Sequence, residues 1–227
     1  ERRLLVFHTG GTIGMREGPR GFAPSRGALV QTIAATPQLH DPSVVIGERD
    51  GRPGPVLTSG YCRVAPGDPL HGPYHDTEYG FPLTDDAGLL ERLALEIAQA
   101  GLSWATILRK REAFHRAFEG FDPEVVARYG ARQRRRLLAD AGIVRNRLKV
   151  DAVIHNAGVV LALRETHGSF DGWLAAHHPL PKDEWVKLFR STFRFTGGEI
   201  VNEFLMSTGW LPGAHAPACP VARKIAR

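Results

Sequence analysis

The chain has 227 residues, 43% of them hydrophobic and 23% charged, with 29 Lys and Arg against 24 Asp and Glu and a formal net charge of +5. That length suits one good-sized domain, or one domain and a fragment. No apolar run approaches the ~20 residues that a membrane-spanning helix needs, so no membrane partner is expected. A pI near 9.6 fits a polyanionic partner, because basic side chains displace the counterions condensed on phosphates. The N-terminal Glu1-Arg2-Arg3 shows no secretory signal pattern, and the missing initiator methionine suggests a trimmed start. A cytoplasmic monomer is expected, with its two cysteines, Cys62 and Cys219, kept reduced.

In chain order, residues 4–13 (Leu-Leu-Val-Phe-His-Thr-Gly-Gly-Thr-Ile) read as an apolar strand running into a Gly-rich turn. The stretch 41–60 is rich in Gly, Pro and Asp and reads as a linker. From Thr84 the pattern turns helical. Thr84, Asp85 and Asp86 offer capping oxygens and negative charge for a helix start, and Leu89, Leu93 and Ala100 recur at helical spacing. Asp122-Pro123 opens a short helix over 123–129. A basic helix over 131–139, an interruption at Gly142 and a helix from about 146 to 164 follow. Glu199–Ser207 reads as the last helix, with Gly209 and Pro212 as stop signals. The expected fold is mainly α after residue 60, behind a short α/β-like N-terminal fragment.

Glu96 lies seven residues after Leu89 and three after Leu93, which puts it on the apolar face of its own helix. A carboxylate there must be paired, bonded or used, because an unpaired buried charge is costly. One reading is a salt bridge or a helix-end bond. The other is a carboxylate lining a ligand pocket. Gly101 can end this helix and turn the chain back, so that Trp104 offers an aromatic face near Glu96. An acid beside a stacking surface suits a flipped, positively charged base.

Several blocks occur in a fixed order. They are Tyr74-His75-Asp76-Thr77-Glu78-Tyr79-Gly80, Glu96 with Gln99-Ala100-Gly101-Leu102-Ser103-Trp104, Asp140-Ala141-Gly142-Ile143-Val144-Arg145, and finally His215 and Cys219. With these blocks residues 62–220 resemble the DNA-3-methyladenine glycosylase I family of bacterial alkylation-repair enzymes. The resemblance implies a helix-hairpin-helix glycosylase domain over residues 61–227, acting on alkylated double-stranded DNA. It also implies one structural zinc ion on Cys62, His75, His215 and Cys219, clipping the two ends of the domain together. The bare sequence is compatible with this, since each cysteine has a histidine nearby and zinc takes four N/S donors in a tetrahedron. The competing reading is two buried thiols and two unrelated histidines among ten.

The same resemblance assigns roles. Glu96 and Tyr74 bond the base edge, Trp104 stacks on it, and Tyr79 stands where many relatives have tryptophan. Leu102 is the plug that fills the gap left by the extruded base, its alternative being an ordinary core leucine. Residues 137–144 fit the hairpin, with Arg145, Arg147 and Lys149 entering the second helix and Arg132, Arg134, Arg135 and Arg136 just before it. The implied reaction is hydrolysis of the N-glycosidic bond of 3-methyladenine without strand cleavage. Asp151 reads as a surface residue. Two departures, Val64 in place of a tryptophan and His71 in place of an aromatic residue, are expected to reshape one pocket wall.

The opening Leu5-Val6-Phe7-His8-Thr9-Gly10-Gly11-Thr12-Ile13-Gly14-Met15 resembles the start of L-asparaginases, in which the position of Thr12 is a nucleophile. A threonine without an activating base is inert, so residues 1–60 are expected to be a truncated, loosely packed and silent fragment. Two other classes remain open: an asparaginase-like amidohydrolase, and a catalytically impaired DNA-binding relative.

Overall fold

The structure is a computed structural model, and it describes residues 15–18, 21–24 and 61–225. The chain divides into two units, Glu1–Val56 and Leu57–Arg227. In the first, β1 (Met15–Gly18) and β2 (Gly21–Pro24) form an antiparallel hairpin with Met15 opposite Pro24 and Gly18 opposite Gly21. The expected strand over 4–13, Thr12 and the linker over 41–60 lie outside the described residues.

The second unit is helical among its described residues. Its elements are α1 (Tyr61–Val64), α2 (His71–Thr77), α3 (Asp86–Gln99), α4 (Trp104–Ala117), α5 (Pro123–Val126), α6 (Ala131–Ala139), α7 (Arg147–His167), α8 (Phe170–His177), α9 (Lys182–Thr192), α10 (Gly198–Ser207) and α11 (Ala222–Ile225). Among the described residues, none of these helices is long and apolar enough to cross a membrane. Glu199–Ser207 is therefore not the last helix, since α11 follows the second histidine–cysteine pair. The periodicity also left α4, α8 and α9 unassigned. Each is short or strongly charged along one face, and there a single-stripe pattern is weak.

The core is built around α3. Leu89, Leu90, Leu93, Ala94, Leu95, Ile97 and Ala98 are all buried, so the helix is apolar nearly all round, the signature of one enclosed by others. It packs against α4, α5, α7, α8 and α10. Asp85 starts it, its side chain accepting from the Gly88 amide at 2.7 Å. A second apolar mass, Phe170, Trp173, Trp185, Phe189, Phe193 and Phe204, joins α8, α9 and α10 through close ring contacts. Ring burial of this size is the largest single source of favourable area in a domain.

The end of α3 is held by a residue far away in sequence. The buried Lys149, in the first turn of α7, donates from Nζ to the carbonyl oxygens of Ala98 at 2.9 Å and Ala100 at 2.6 Å. The last carbonyls of a helix lack intrahelical partners, and a cation there also suits the helix dipole. Gly101 follows at φ +82, a left-handed conformation that glycine adopts without strain. Ser103 then caps α4 by accepting from the Thr106 amide at 3.3 Å. The turn 100–103 is thus fixed at both ends.

Lys149→Met keeps the aliphatic stem and leaves both carbonyls unbonded. It is expected to cost roughly 1–3 kcal/mol, the penalty for orphaned buried polar groups. Urea denaturation at neutral pH measures this, and an unchanged midpoint would contradict the brace.

Candidate functional site

Three segments converge beside α3. Tyr74 comes from α2, Tyr79 from the turn after it, and Trp104 from the start of α4. Tyr74 lies 5.1 Å from Trp104 and 5.7 Å from Tyr79, ring centre to ring centre. Glu96 faces this group from α3 and is 4% exposed, so the helical spacing placed it correctly. Among the described residues no hydrogen bond or ion pair reaches its carboxyl group. Burial pushes its pKa up to about 8, with the charge of Glu203 adding to the rise and Arg92 opposing it. The salt-bridge reading of Glu96 therefore does not hold. The indole N–H of Trp104 is buried without a partner, an uncommon state in native interiors.

Arg92 went unnoticed in the sequence. It precedes Glu96 by four residues, so both share one helix face, and it is 4% exposed. Its guanidinium donates to the Tyr74 hydroxyl at 2.5 Å and to Glu78 at 3.1 Å, and lies 4.7 Å from the Tyr74 ring centre. Glu78 also accepts from Arg111 at 2.7 Å, and Arg111 in turn donates to Glu91 at 2.8 Å. The network fixes the Tyr74 phenol, and burial raises the pKa of that phenol. The hydroxyl accepts from Arg92, which leaves its own proton to donate elsewhere. Glu203, on α10, was also missed: no local pattern marks it, and the chain brings it in from more than a hundred residues away. The Tyr79 hydroxyl donates to it at 3.2 Å.

The turn 100–103 carries Leu102, which is 43% exposed. It is not a core leucine. Leu148, beside the bracing Lys149, is 68% exposed. Between α6 and α7 the chain makes a tight turn in which Asp140 accepts from the Gly142 amide at 2.7 Å, and Lys110 donates to the Ala141 carbonyl at 2.8 Å. Arg132, Arg135, Arg145 and Arg147 are exposed around this turn. Arg134 and Arg147 both pair with Asp151, at 2.8 and 3.6 Å. Asp151 is therefore more than a plain surface residue: it ties α6 to α7 beside an open groove of about 640 Å³ that Arg194 and His155 also line.

Cys62, His75, His215 and Cys219 come together although 153 residues separate Cys62 from His215. Their ligand atoms all lie within 4.8 Å of one another. Cys62 Sγ and Cys219 Sγ are each 3.6 Å from His215 Nδ1, and Cys219 Sγ is 3.8 Å from His75 Nε2. Bonds of ~2.3 Å to sulfur and ~2.0 Å to nitrogen set the donors of a tetrahedral zinc roughly 3.3–3.8 Å apart. The outer ring nitrogens are also engaged. His75 Nδ1 meets Asp76 at 2.7 Å, and His215 Nε2 meets the Tyr79 carbonyl oxygen at 2.6 Å. Such outer bonds orient the histidines of metal sites. Gly80 makes room for this crossing. It sits at φ +84, and a Cβ there would lie 2.7 Å from Ala214 Cβ.

Val64 is 66% exposed and forms no wall. Tyr61 takes up the space beside Cys62 instead, its ring 5.5 Å from Tyr79, 5.6 Å from His75 and 5.7 Å from His71.

The described residues of this unit form a helical domain with a buried acid among aromatic rings and an arginine-bearing turn. The family model for methyladenine glycosylase matches residues 64–187. A segment of 103 residues is 46% identical to DNA-3-methyladenine glycosylase 1 of Escherichia coli, and one of 113 residues is 37% identical to DNA-3-methyladenine glycosylase of Haemophilus influenzae. These segments cover 45% and 48% of this chain, and 55% and 61% of those proteins; the matched chain spans less than two thirds of either relative. A crystal structure of 3-methyladenine DNA glycosylase I is similar over 70% of this chain and 97% of its own, at 33% identity and a TM-score of 0.63. The Staphylococcus aureus enzyme, solved for its recognition of 3-methyladenine, is similar over 71% and 96%, at 34% identity and a TM-score of 0.64. The chain belongs to the methyladenine glycosylase family.

The raised pKa of Glu96 has a direction that stability measurements can read. Between its ordinary value of 4.5 and about 8 the folded protein keeps a proton that the unfolded chain has released. The contribution of this group to stability is therefore full below 4.5 and falls as pH rises through that window. Glu96→Gln lacks the titration. Its stability relative to the parent is expected to rise with pH by up to about 1.4 kcal/mol per unit, as measured by urea denaturation between about pH 5 and about pH 8. A pH-independent difference between the two would refute the buried, unpaired state.

Proposed function

We propose that the helical unit is a monofunctional DNA glycosylase that hydrolyses the N-glycosidic bond of 3-methyladenine in alkylated double-stranded DNA. The carrying observation is Glu96, buried without a hydrogen bond beside Tyr74, Tyr79 and Trp104. Relatives named for this reaction support the same reading.

A base stacked in a duplex is out of reach of any enclosed pocket, so it must be rotated out. In this reading α6, the turn at 140–146 and α7 form a helix-hairpin-helix whose backbone amides grip phosphate, as helix starts do, with Arg132, Arg135, Arg145 and Arg147 adding phosphate contacts. Leu102, exposed on a braced turn, enters the duplex and fills the vacated space. Lys149 links the two operations, since it opens the second hairpin helix and holds the carbonyls beneath the Leu102 turn.

3-Methyladenine carries a positive charge while attached to the sugar. Entry of that cation lowers the pKa of Glu96, and the carboxyl releases its proton to become the counter-charge. The Tyr74 hydroxyl, fixed by Arg92, donates to the base edge, and Trp104 stacks on its face. Water attacks C1′ of the sugar, and the C1′–N9 bond breaks with its electron pair passing to the base, which departs neutral. The water gives up one proton and leaves its oxygen on an abasic site. No strong general acid is needed, because the leaving group is already charged. The nearest lysine, Lys149, is engaged by two carbonyl oxygens, so no Schiff base forms and the strand stays intact.

The donor set of Cys62, His75, His215 and Cys219 fits a structural zinc ion. The ion would supply a cross-link between the two ends of the unit, with four protein ligands and no water. It would also hold His75, next to Tyr74, and His215, bonded to the Tyr79 carbonyl, and so set the segment that carries two pocket rings. Purified protein is expected to contain about one zinc per chain. Cys219→Ser is expected to lose it and to melt about 10 °C lower, taking roughly 3 kcal/mol at 2–4 °C per kcal/mol. Metal analysis with thermal melting tests this, and metal-free protein of unchanged stability would end the zinc reading.

The reaction itself is tested by incubating methylated duplex DNA with the protein and measuring released 3-methyladenine by chromatography. Release without strand nicking is expected. Glu96→Gln is expected to slow release by about 10- to 100-fold, the scale of one hydrogen bond to a charged group. Folded protein that binds the DNA but frees no base would favour a DNA-binding relative without catalysis.

A further inference from the structure

Glu203 belongs to α10, which packs against α3. The Tyr79 hydroxyl donates to Glu203 at 3.2 Å, and Tyr79 in turn packs on Tyr74. Burial raises the pKa of Glu203, and hydrogen bonds from Tyr79 and Asn202 lower it. The other charges facing it are Glu199 and Lys182, and Lys182 is paired with Glu199 at 3.6 Å. The negative charge that acts on Glu96 is that of Glu203. Arg92, the cation that acts on Glu96, is taken up by Tyr74 and Glu78. Among the described residues, neither Glu96 nor Glu203 has a salt bridge.

We propose that Glu203 is a second carboxylate of the base pocket, which together with Glu96 makes the pocket select purines that carry a formal positive charge. This rests on the glycosylase reading above. Two buried carboxylates that repel one another cannot both ionise freely, so at least one keeps its proton when no cation is present. A cationic purine replaces that proton and gains attraction from both groups. A neutral purine of the same shape pays for desolvating the acids and gains no charge contact. Discrimination between the two is the difference of those terms. The sequence pattern that marked Glu96 does not reach Glu203, because the second acid arrives from another helix.

The test compares Glu203→Gln, Glu203→Asp and Tyr79→Phe with the parent protein, using two probes that cannot be hydrolysed. The probes are the 3,9-dimethyladenine cation and neutral 9-methyladenine, with binding followed by tryptophan fluorescence. Glu203→Gln is expected to weaken the cation by about tenfold, the scale of one charge–charge contact in a partly buried site, and to leave the neutral purine unchanged. Glu203→Asp is expected to retain most of the preference. In base-release assays Glu203→Gln is expected to raise KM by a similar factor with kcat nearly constant, the pattern of lost ground-state binding. Tyr79→Phe keeps the charge and removes only the phenol, so it is expected to keep the preference for the cation. The proposal is overturned if Glu203→Gln, with parental melting behaviour, retains the cation preference, or if Tyr79→Phe loses it equally. It is also overturned if the parent binds neither probe. Cation-selective binding without base release would instead sink the glycosylase reading alone.

Discussion

The structure is organised around a carboxyl group that is almost wholly removed from water. Glu96 sits on the helix that every neighbour packs against, and it has no hydrogen bond to offset its desolvation. Such a group costs stability whenever it is charged. It is tolerable because burial keeps it protonated at neutral pH, and useful because a cation can take the proton's place. The surrounding helices therefore do more than fill space. They hold the acid in a medium of low polarity, where the charge of a bound ligand is felt strongly.

The supports of this acid are long-range and physically distinct. Lys149 caps the helix that carries it, and so couples the turn bearing Leu102 to the start of α7. Arg92 clamps Tyr74 through both a hydrogen bond and a cation–ring contact. The Cys/His cluster draws the end of the unit back onto its beginning and fixes the backbone at Tyr79. Each support bears on a different member of the site, so a loss at any of them changes the position of a ring or of the acid without removing that group itself.

Charge is distributed in two opposite senses. The turn between α6 and α7 exposes arginines, which suits a phosphate backbone. The enclosed site holds acids, which suits a cationic base. Normal duplex DNA satisfies the first and fails the second. On the proposed glycosylase reading, this separation of an attractive surface from a selective interior serves broad DNA binding with action on a rare lesion.

Glu96, its helix, the acidic start of that helix and the basic segment at 131–139 were legible in the sequence, because helical period and capping chemistry are local properties. Trp104 beside Glu96 followed from the turn at Gly101, whereas the meeting of the four Cys/His positions was expected only through resemblance to a family, since residue types alone allowed ordinary burial. Arg92 had a local signal, four residues before Glu96, but its positive charge obscured it among apolar neighbours. Tyr61, whose ring packs on His71, His75 and Tyr79, carried no signal in the sequence that set it apart. Sequence by itself determined which residues lie on which face of each helix, since that depends on a 3.6-residue repeat. Only the tertiary structure decided that Glu203 joins Glu96, that Lys149 reaches Ala98 and Ala100, and that Asp151 ties two helices. These are meetings between helices, and they are set by how several apolar faces pack at once, which no single stretch of chain encodes.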